Sequence, residues 1–207
     1  MSDNYQKEYW LNRTKTADEL ALKLELNPSW DEAKGRYNEV TPILPEHLEI
    51  IKAETKMGNV VDFGVGMARN YDYLSGLFAN AYGFDTVEMV KRLRIYKPYI
   101  TNIIDDFNLL KQIKFDVLYE STVFQHLPPK ELTHYLSQLS YTTKFIVSHT
   151  RSYNDFERHG LTGGINMIKL IGDIGCYSPI HCSIPLNLAE FVKDETHYHI
   201  LYKSKNL

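Results

Sequence analysis

Two glycines at the end of a short apolar run form the sharpest local signal in the sequence. The run Asn59–Phe63 predicts a buried strand, and it leads into Gly64 and Gly66. Glycine suits this place because it permits a tight turn and lets a ligand approach the backbone closely. A helix is expected from Ala68 to Phe78, and its first N–H groups would point at that ligand. The spacing therefore predicts a nucleotide-like ligand at the carboxyl end of the strand.

The residues around these glycines argue against two common nucleotide sites. A dinucleotide fingerprint needs a glycine or alanine where this chain has Arg69, and a phosphate loop needs a Gly-Lys-Ser/Thr ending that does not follow. Asp62 would repel a pyrophosphate but would attract an ammonium group. Asp85, 21 residues after Gly64, ends the next predicted strand and could accept both ribose hydroxyls. The pattern favours S-adenosylmethionine, which has an amino group and lacks phosphate.

Short motifs along the chain resemble, in the same order, those of the class I S-adenosylmethionine-dependent methyltransferases. Asp62–Gly66 resembles the first motif, D-x-G-x-G, and Gly83–Asp85 resembles the second, which carries the ribose-binding acid. Asp105–Phe107 resembles the acidic motif after the third strand, whose acid contacts the adenine amino group in that family. Phe115–Tyr119 resembles the fourth motif, and Val123–Pro128 resembles the His-Leu turn that often follows it.

The resemblance extends over about residues 59–150 and implies a fold, a cofactor and a reaction. The fold is a doubly wound α/β domain: a mostly parallel seven-stranded sheet, helices on both faces, an antiparallel last strand and an N-terminal helical extension. The cofactor is S-adenosylmethionine, and the reaction transfers its methyl group. The residues expected to bind the cofactor are Asp62, Gly64, Gly66, Asp85, Asp105, Asp106 and Ser121. Of the two adjacent acids we favour Asp106, because an apolar residue usually follows the adenine-binding acid.

Methyl transfer from a sulfonium is an in-line displacement, so the protein mainly aligns the reacting atoms and excludes water. A base is needed only if the acceptor must lose a proton early. His126 is the first candidate for such a base, with Glu120 behind it, although His126 could equally cap the turn before Pro128. The candidates for contact with the acceptor are two N-terminal aromatic residues and three residues around the end of the strand Lys144–Ser148: Tyr9, Trp10, His149, Arg151 and Tyr153.

A small molecule is the expected acceptor, accepting on oxygen or nitrogen, with a protein side chain as the next possibility. The net charge of −3 provides no general attraction for nucleic acid. Glu120–Val123 stands where amino-methylating DNA enzymes of this fold carry an Asp/Asn-Pro-Pro-aromatic tetrad, and neither Cys176 nor Cys182 follows a proline. The alternative is a non-catalytic S-adenosylmethionine-binding subunit with a regulatory or partner role, because that protein would keep the same motifs.

Strand and helix patterns alternate from residue 59 to residue 150, which is typical of a parallel sheet covered on both faces. Pro129–Leu139, for example, places leucines and a tyrosine along one helical face. Residues 1–45 are expected to form an N-terminal helical extension or lid, and residues 46–207 the S-adenosylmethionine-binding domain. Residues 151–179 contain five glycines and are interpreted as an insertion at the acceptor site.

The composition fits one domain of ordinary globular character, with 207 residues of which 43% are hydrophobic. No metal is expected, because His181, Cys182, His197 and His199 follow strand alternation and have no ligand-like spacing. The polar N-terminus predicts no signal peptide, and the apolar runs are too short to span a membrane. Two cysteines without a disulfide framework suit a reducing compartment, so we expect a cytoplasmic protein. Oligomeric state has no signature in the sequence.

Overall fold

The computed structural model describes residues 40–151, 167–183 and 197–207. The strands in these ranges are β1 Asn59–Phe63, β2 Asn80–Phe84, β3 Ile103–Ile104, β4 Phe115–Ser121, β5 Thr143–Arg151, β6 Tyr177–Cys182 and β7 His197–Ser204. The helices there are α1 Pro45–Glu54, α2 Tyr71–Leu77, α3 Val87–Tyr96, α4 Phe107–Leu110, α5 Pro129–Leu139 and α6 Met167–Ile174. A turn of 3-10 helix covers Phe124–His126.

The seven strands form one sheet in the order β3-β2-β1-β4-β5-β7-β6. β1 to β5 pair in parallel, whereas β7 runs antiparallel to both β5 and β6. This confirms the predicted doubly wound sheet with an antiparallel last strand. The strand order changes direction between β1 and β4, because β2 and β3 lie on one side of β1 and β4 and β5 lie on the other. Ligands of open α/β sheets bind at such a switch point. We call the side where β1 to β5 end the carboxyl edge.

Apolar residues fill both faces of the central strands, because helices cover both. Along β4, Val117 and Tyr119 face one layer, in which α1 and α2 bury Ile51 and Leu74. Leu118 faces the other layer, which holds the leucines of α5 and two residues of α6. Strands buried in this way lack the polar alternation of a half-exposed sheet. The packing fixes the strand ends from which the loops of the carboxyl edge extend.

Three predicted elements differ in their bounds from those observed. The helix expected from Ala68 begins only at Tyr71, because Ala68 has a φ of 58° and a left-handed residue cannot continue a right-handed helix. The residues before it form turns, so the loop after β1 is longer than predicted. The apolar residues of Ile100–Ile104 predict a strand, but only Ile103–Ile104 form one. The pattern of Ile180–Leu186 predicts another strand, and the observed strand begins earlier, at Tyr177.

Some expectations fall on residues outside the described ranges. Tyr9, Trp10 and Tyr153 are among them, as is most of the proposed N-terminal extension. Arg151 ends β5, but its side chain is not described. In the part of the chain that is described, no helix combines the length and apolar character required to cross a membrane.

Candidate functional site

The loop after β1 turns sharply at two glycines that adopt left-handed backbone conformations. Gly64 has a φ of 78° and Gly66 a φ of 52°. A Cβ on Gly64 would lie 2.5 Å from Cγ2 of Val123, so no larger residue fits there without displacement. The N–H groups of Gly64 and Val65 both donate to the carbonyl oxygen of Phe84, at 2.8 and 3.0 Å. The loop is therefore held against the end of β2, close to Asp85.

Asp85 links the ends of β1 and β2 through its carboxylate. One oxygen, Oδ2, accepts a hydrogen bond from the N–H of Gly66 at 2.8 Å, and Oδ1 accepts one from the N–H of Thr86 at 2.7 Å. Burial raises the pKa of Asp85, and these two N–H groups act in the opposite direction. Each carboxylate oxygen has a second lone pair, so Asp85 retains capacity to accept hydrogen bonds from ligand hydroxyls.

Asp62 is a buried carboxylate with an unsatisfied oxygen. The residue is 2% exposed, and its Oδ2 has no hydrogen-bond partner among the described residues. Burial raises the pKa of Asp62 to about 7, with Asp85 and Glu120 adding to the effect and the positive charge of Arg69 opposing it. An unpaired buried carboxylate is costly unless a cationic donor meets it. The site is thus suited to a ligand that brings an ammonium group.

Arg69 is a further functional candidate, although in the sequence its position indicates only that the dinucleotide fingerprint is absent. Its Nη2 donates to Oγ of Ser121 at 3.0 Å, which brings the cation to the end of β4. A guanidinium is well suited to a carboxylate because it donates through two parallel N–H groups. The only sequence signal was a cation within the loop after β1, and such a signal is weak without the geometry.

A short stretch before α1, residues 40–44, lies over the same place, and we call it the Thr41 segment. The N–H of Thr41 donates to Oδ1 of Asn70 at 3.0 Å, and its carbonyl accepts from the hydroxyl of Tyr119 at 2.8 Å. Ser121 Oγ donates to Thr41 Oγ1 at 3.3 Å. The N–H of Ile43 donates to the Tyr73 hydroxyl at 3.0 Å. These contacts hold the segment at the ends of β1 and β4.

The two adjacent acids after β3 have different surroundings. Asp106 is exposed and caps α4, because its Oδ1 accepts from the N–H of Asn108 at 2.8 Å. Asp105 is half-buried, with its Oδ2 4.0 Å from Nη1 of Arg94. Both lie at the carboxyl edge, one strand beyond Asp85. The assignment of adenine binding to Asp106 stays a prediction.

Glu120 and His126, the two candidate bases, are both buried and both bonded. Glu120 is fully buried, and its carboxylate accepts from the N–H groups of Val123 and Phe124 at 2.9 and 3.3 Å and from the hydroxyl of Ser148. Burial raises the pKa of Glu120 to about 7, against the effect of these bonds. The carboxylate therefore caps the 3-10 turn that follows β4.

His126, in the 3-10 turn, is 8% exposed, with its Nε2 3.2 Å from the amide nitrogen of Gln125. The amide oxygen of Gln125 accepts from the hydroxyl of Thr150 at 3.4 Å. These contacts tie the His126 ring to the end of β5. They place it in the packed turn after β4.

Four histidines from different elements lie on the face of the sheet that α1 covers. Nδ1 of His149 is 3.3 Å from Oγ of Ser121, and the ring of His199 lies 4.5 Å from that of His149. Nε2 of His47 is 2.9 Å from Nδ1 of His181. Burial, followed by His181 and His199, lowers the pKa of His47 to about 4. No group of three or more His, Cys, Asp or Glu side chains in the described ranges is arranged to hold a metal ion.

Comparison with known proteins supports the fold without a sequence relationship. No protein-family model matches the chain, and no curated protein matches it in sequence. The structure resembles an S-adenosylmethionine-dependent methyltransferase from Clostridium acetobutylicum ATCC 824, with 11% identity, 78% of this chain and 92% of that chain covered, and a TM-score of 0.58.

Two further similar structures carry a ligand. One is the N-methyltransferase NodS from Bradyrhizobium japonicum WM9 in complex with S-adenosyl-L-homocysteine, at 12% identity, with 90% of this chain and 98% of that chain covered and a TM-score of 0.55. The other is magnesium protoporphyrin IX methyltransferase from Synechocystis PCC 6803 with bound SAM, at 14% identity, with 91% and 97% covered and a TM-score of 0.51. The chain thus has the fold of the class I S-adenosylmethionine-dependent methyltransferases.

Proposed function

We propose that the chain binds S-adenosylmethionine at the carboxyl edge and transfers its methyl group to an oxygen or nitrogen of a small molecule. The observation that carries the proposal is the unsatisfied oxygen of Asp62, buried beside the cation of Arg69. An amino-acid group brings both charges to such a place. Its ammonium would satisfy Asp62, and its carboxylate would bind Arg69.

The adenosine half of the cofactor fits the other end of the same edge. In this proposal Asp85 accepts hydrogen bonds from the ribose hydroxyls, while Gly64 and Gly66 let the ligand approach the backbone closely. Asp106, or Asp105 beside it, accepts from the adenine amino group. The order of strands supports this arrangement, because β2 and β3 lie on the opposite side of β1 from β4.

The methionine half is proposed to lie over the ends of β1 and β4. Ser121 contributes there, positioned by its contacts with Arg69 and Thr41. Residues 1–45 then act as an extension over the pocket, and residues 151–179 shape the acceptor site. The described part of the extension, the Thr41 segment, supports the first of these roles, because it is hydrogen-bonded to Tyr119 and Asn70 at this place.

The chemistry needs little from the protein beyond alignment. A lone pair of the acceptor forms a bond to the methyl carbon as the carbon–sulfur bond breaks. The electron pair of the carbon–sulfur bond stays on sulfur, which becomes a neutral thioether. Holding the acceptor in line with that bond and excluding water supply most of the acceleration. A small molecule is the proposed acceptor, with a protein side chain second, because the net charge of −3 does not favour nucleic acid.

Calorimetric titration with S-adenosylmethionine and S-adenosylhomocysteine tests the proposal. Micromolar binding is expected, and Asp85→Ala should weaken it about 30- to 100-fold, as expected for lost hydrogen bonds to a charged group. Asp173→Ala, an exposed acid on α6, is the matched control and should leave the affinity unchanged. Failure of well-folded protein to bind either ligand would refute the proposal. Transfer of labelled methyl to a panel of small molecules then separates an enzyme from a non-catalytic binding subunit.

A further inference from the structure

The Thr41 segment is held in place by side chains that bond to its backbone. Asn70 and Tyr119 are 3% and 1% exposed, and they bond to the N–H and to the carbonyl oxygen of Thr41. Tyr73, which is half-buried, accepts from the N–H of Ile43. Because these bonds all go to backbone atoms, they fix the position of Thr41 without using its hydroxyl.

The Thr41 hydroxyl lies on the same face of the sheet as the carboxylate of Asp62. Val60 of β1 and Tyr119 of β4 belong to one apolar layer, and the two strands are paired. Alternate residues of a strand point to the same face, so Asp62 and Ser121 share that face with them. Thr41 reaches this face from outside the sheet, with its Oγ1 3.3 Å from Oγ of Ser121. The hydroxyl and the carboxylate therefore lie at neighbouring strand ends.

The charges beside this hydroxyl match an amino-acid group. Burial raises the pKa of Asp62, and the positive charge of Arg69 is close enough to oppose that rise. Nη2 of Arg69 is 3.0 Å from Oγ of Ser121, the same oxygen that Thr41 contacts.

A single carbon joins the ammonium and the carboxylate of an α-amino acid. An ammonium that meets the unsatisfied oxygen of Asp62 therefore brings its carboxylate to the donors next to it. A hydroxyl donates one hydrogen bond and accepts two, so Thr41 can contact Ser121 and still donate to an anion. Arg69 and Thr41 thus form a pair of donors for that carboxylate.

We infer that Thr41 determines cofactor specificity, because its hydroxyl donates to the carboxylate of the cofactor's amino-acid group beside Arg69. This rests on the proposed function, and it adds a residue from outside the sheet to those that bind the cofactor. The pocket then selects intact S-adenosylmethionine over the decarboxylated form, which keeps the ammonium and the sulfonium but gives Arg69 and Thr41 no partner. The site therefore does not suit aminopropyl transfer, which uses the decarboxylated cofactor.

Two ligands that differ only in this carboxylate test the inference: S-adenosylmethionine and its decarboxylated form. Thr41→Val removes the hydroxyl and keeps the branched shape of the side chain. In calorimetric titration of the full chain, it should weaken S-adenosylmethionine binding about tenfold or more, because a hydrogen bond to a charged group is lost. Binding of the decarboxylated ligand, measured by displacement of S-adenosylhomocysteine, should not change.

Two further variants control for effects on the fold. Thr41→Ser keeps the hydroxyl and should bind S-adenosylmethionine within about threefold of the unchanged protein. Thr133→Val makes the same change as Thr41→Val at an exposed position of α5 and should affect neither ligand. Urea denaturation of each variant should give an unchanged free energy of unfolding for Thr41→Ser.

The outcomes separate this inference from the proposed function. If S-adenosylmethionine binds and Thr41→Val leaves its affinity unchanged, the inference is wrong while the proposed cofactor stands. If Thr41→Val weakens both ligands equally, Thr41 has only a structural role and the inference is also wrong. If neither S-adenosylmethionine nor S-adenosylhomocysteine binds the unchanged protein, the proposed function fails and the inference fails with it.

Discussion

The carboxylates at the two edges of the sheet differ: one is buried with an unsatisfied oxygen, and the other is exposed and paired with two lysines. At the carboxyl edge, Asp62 has an oxygen without a partner, and burial raises its pKa to about 7. At the other edge, Glu54 accepts from Lys144 and Lys203, with nitrogen–oxygen distances of 3.1 and 2.7 Å. The hydrogen bond from Lys203 is the main reason that the pKa of Glu54 is lowered. One edge has a buried carboxylate oxygen without a partner among the described residues, whereas at the other edge ion pairs connect the end of α1 to β5 and β7.

The backbone shows the same contrast. Gly64 at the carboxyl edge is left-handed and would place a Cβ within 2.5 Å of Val123. Gly58 at the opposite edge has no such conformation, and its Cβ would meet only the end of the Asp116 side chain, at 3.2 Å. A backbone conformation that glycine adopts freely and larger residues do not, and a buried carboxylate oxygen without a partner among the described residues, coincide at one edge. Departures from ordinary backbone and polar pairing are expected at functional sites.

Substitution of the unpaired acid should give the largest effect and should separate function from stability. Asp62→Asn is expected to weaken S-adenosylmethionine binding about 100-fold, because an amide loses the charged contact to the ammonium. The free energy of unfolding at pH 8 should rise by about 1 kcal/mol, because a buried unpaired charge is removed. Calorimetry and urea denaturation measure the two quantities. A parallel loss of both would show that Asp62 has a structural role.

A methyl group added at each edge sharpens the comparison of the backbones. Gly64→Ala should lower the free energy of unfolding by about 2 kcal/mol, because its left-handed conformation and the Val123 contact both oppose a Cβ. Gly58→Ala is the matched control and should cost less than about 1 kcal/mol, since its backbone is not left-handed and Asp116 Oδ2, which accepts from the Gly58 N–H at 2.6 Å, needs to shift by only a few tenths of an ångström. Urea denaturation compares them. Equal costs would indicate that the left-handed conformation of Gly64 and its Val123 contact add no penalty for a Cβ.

Cofactor binding should depend on pH in the direction set by Asp62. Its pKa in the free protein is raised to about 7, and the ligand ammonium requires the ionised form. The affinity for the cofactor is therefore highest above pH 7, and it falls about tenfold for each pH unit below pH 7. Titration of S-adenosylhomocysteine at pH 8, 7 and 6 measures this slope. Asp62→Asn should remove it, and a slope that persists in the variant would assign the titration to another group.

Substitution of Glu54, which is paired with two lysines at the edge opposite the carboxyl edge, should have the smallest effect on stability and affinity. Glu54→Gln removes the negative partner of Lys144 and Lys203 but leaves an amide that can still accept a hydrogen bond. Because the pair is near the surface and screened by solvent, the loss of stability should be about 0.5 kcal/mol or less. Cofactor affinity should not change. Thermal denaturation and calorimetry provide the two readouts, and a weakened affinity would mean that the two edges are coupled through α1.

The order of strands and helices was predictable, because the short apolar runs of the strands and the helical repeat of apolar residues in the helices are both clear in the sequence. β1 and α5 begin and end where the apolar patterns predict. The start of α2 was not predictable, because alanine is an ordinary helix residue and its type gives no sign of the left-handed backbone at Ala68. β3 is shorter than its apolar residues suggest, because only Ile103 and Ile104 pair with β2.

The candidate site was predictable only where motif and position coincide. Asp62 lies near the end of β1, Gly64, Gly66 and Asp85 follow the ends of β1 and β2, and parallel strands bring those ends together. Arg69 and Thr41 were missed, because they reach the site through contacts across the loop and from outside the sheet. The pairing of His149 with Ser121 depends on strand register, which local patterns do not encode. Residues that act through such long-range contacts need the structure to be recognised.

The Thr41 segment has a consequence for how the chain is assembled. Its contacts with Tyr119 and Ser121 join residues separated by 78 and 80 positions. During synthesis from the amino end, the partners Asn70 and Tyr73 are made first, whereas the contacts with Tyr119 and Ser121 cannot form until β4 has been made and has paired with β1. Contacts over such separations form slowly, because the intervening chain must first be ordered. A nascent chain that stops before β4 thus contains the glycine loop but lacks the strand that fixes the Thr41 segment at the carboxyl edge.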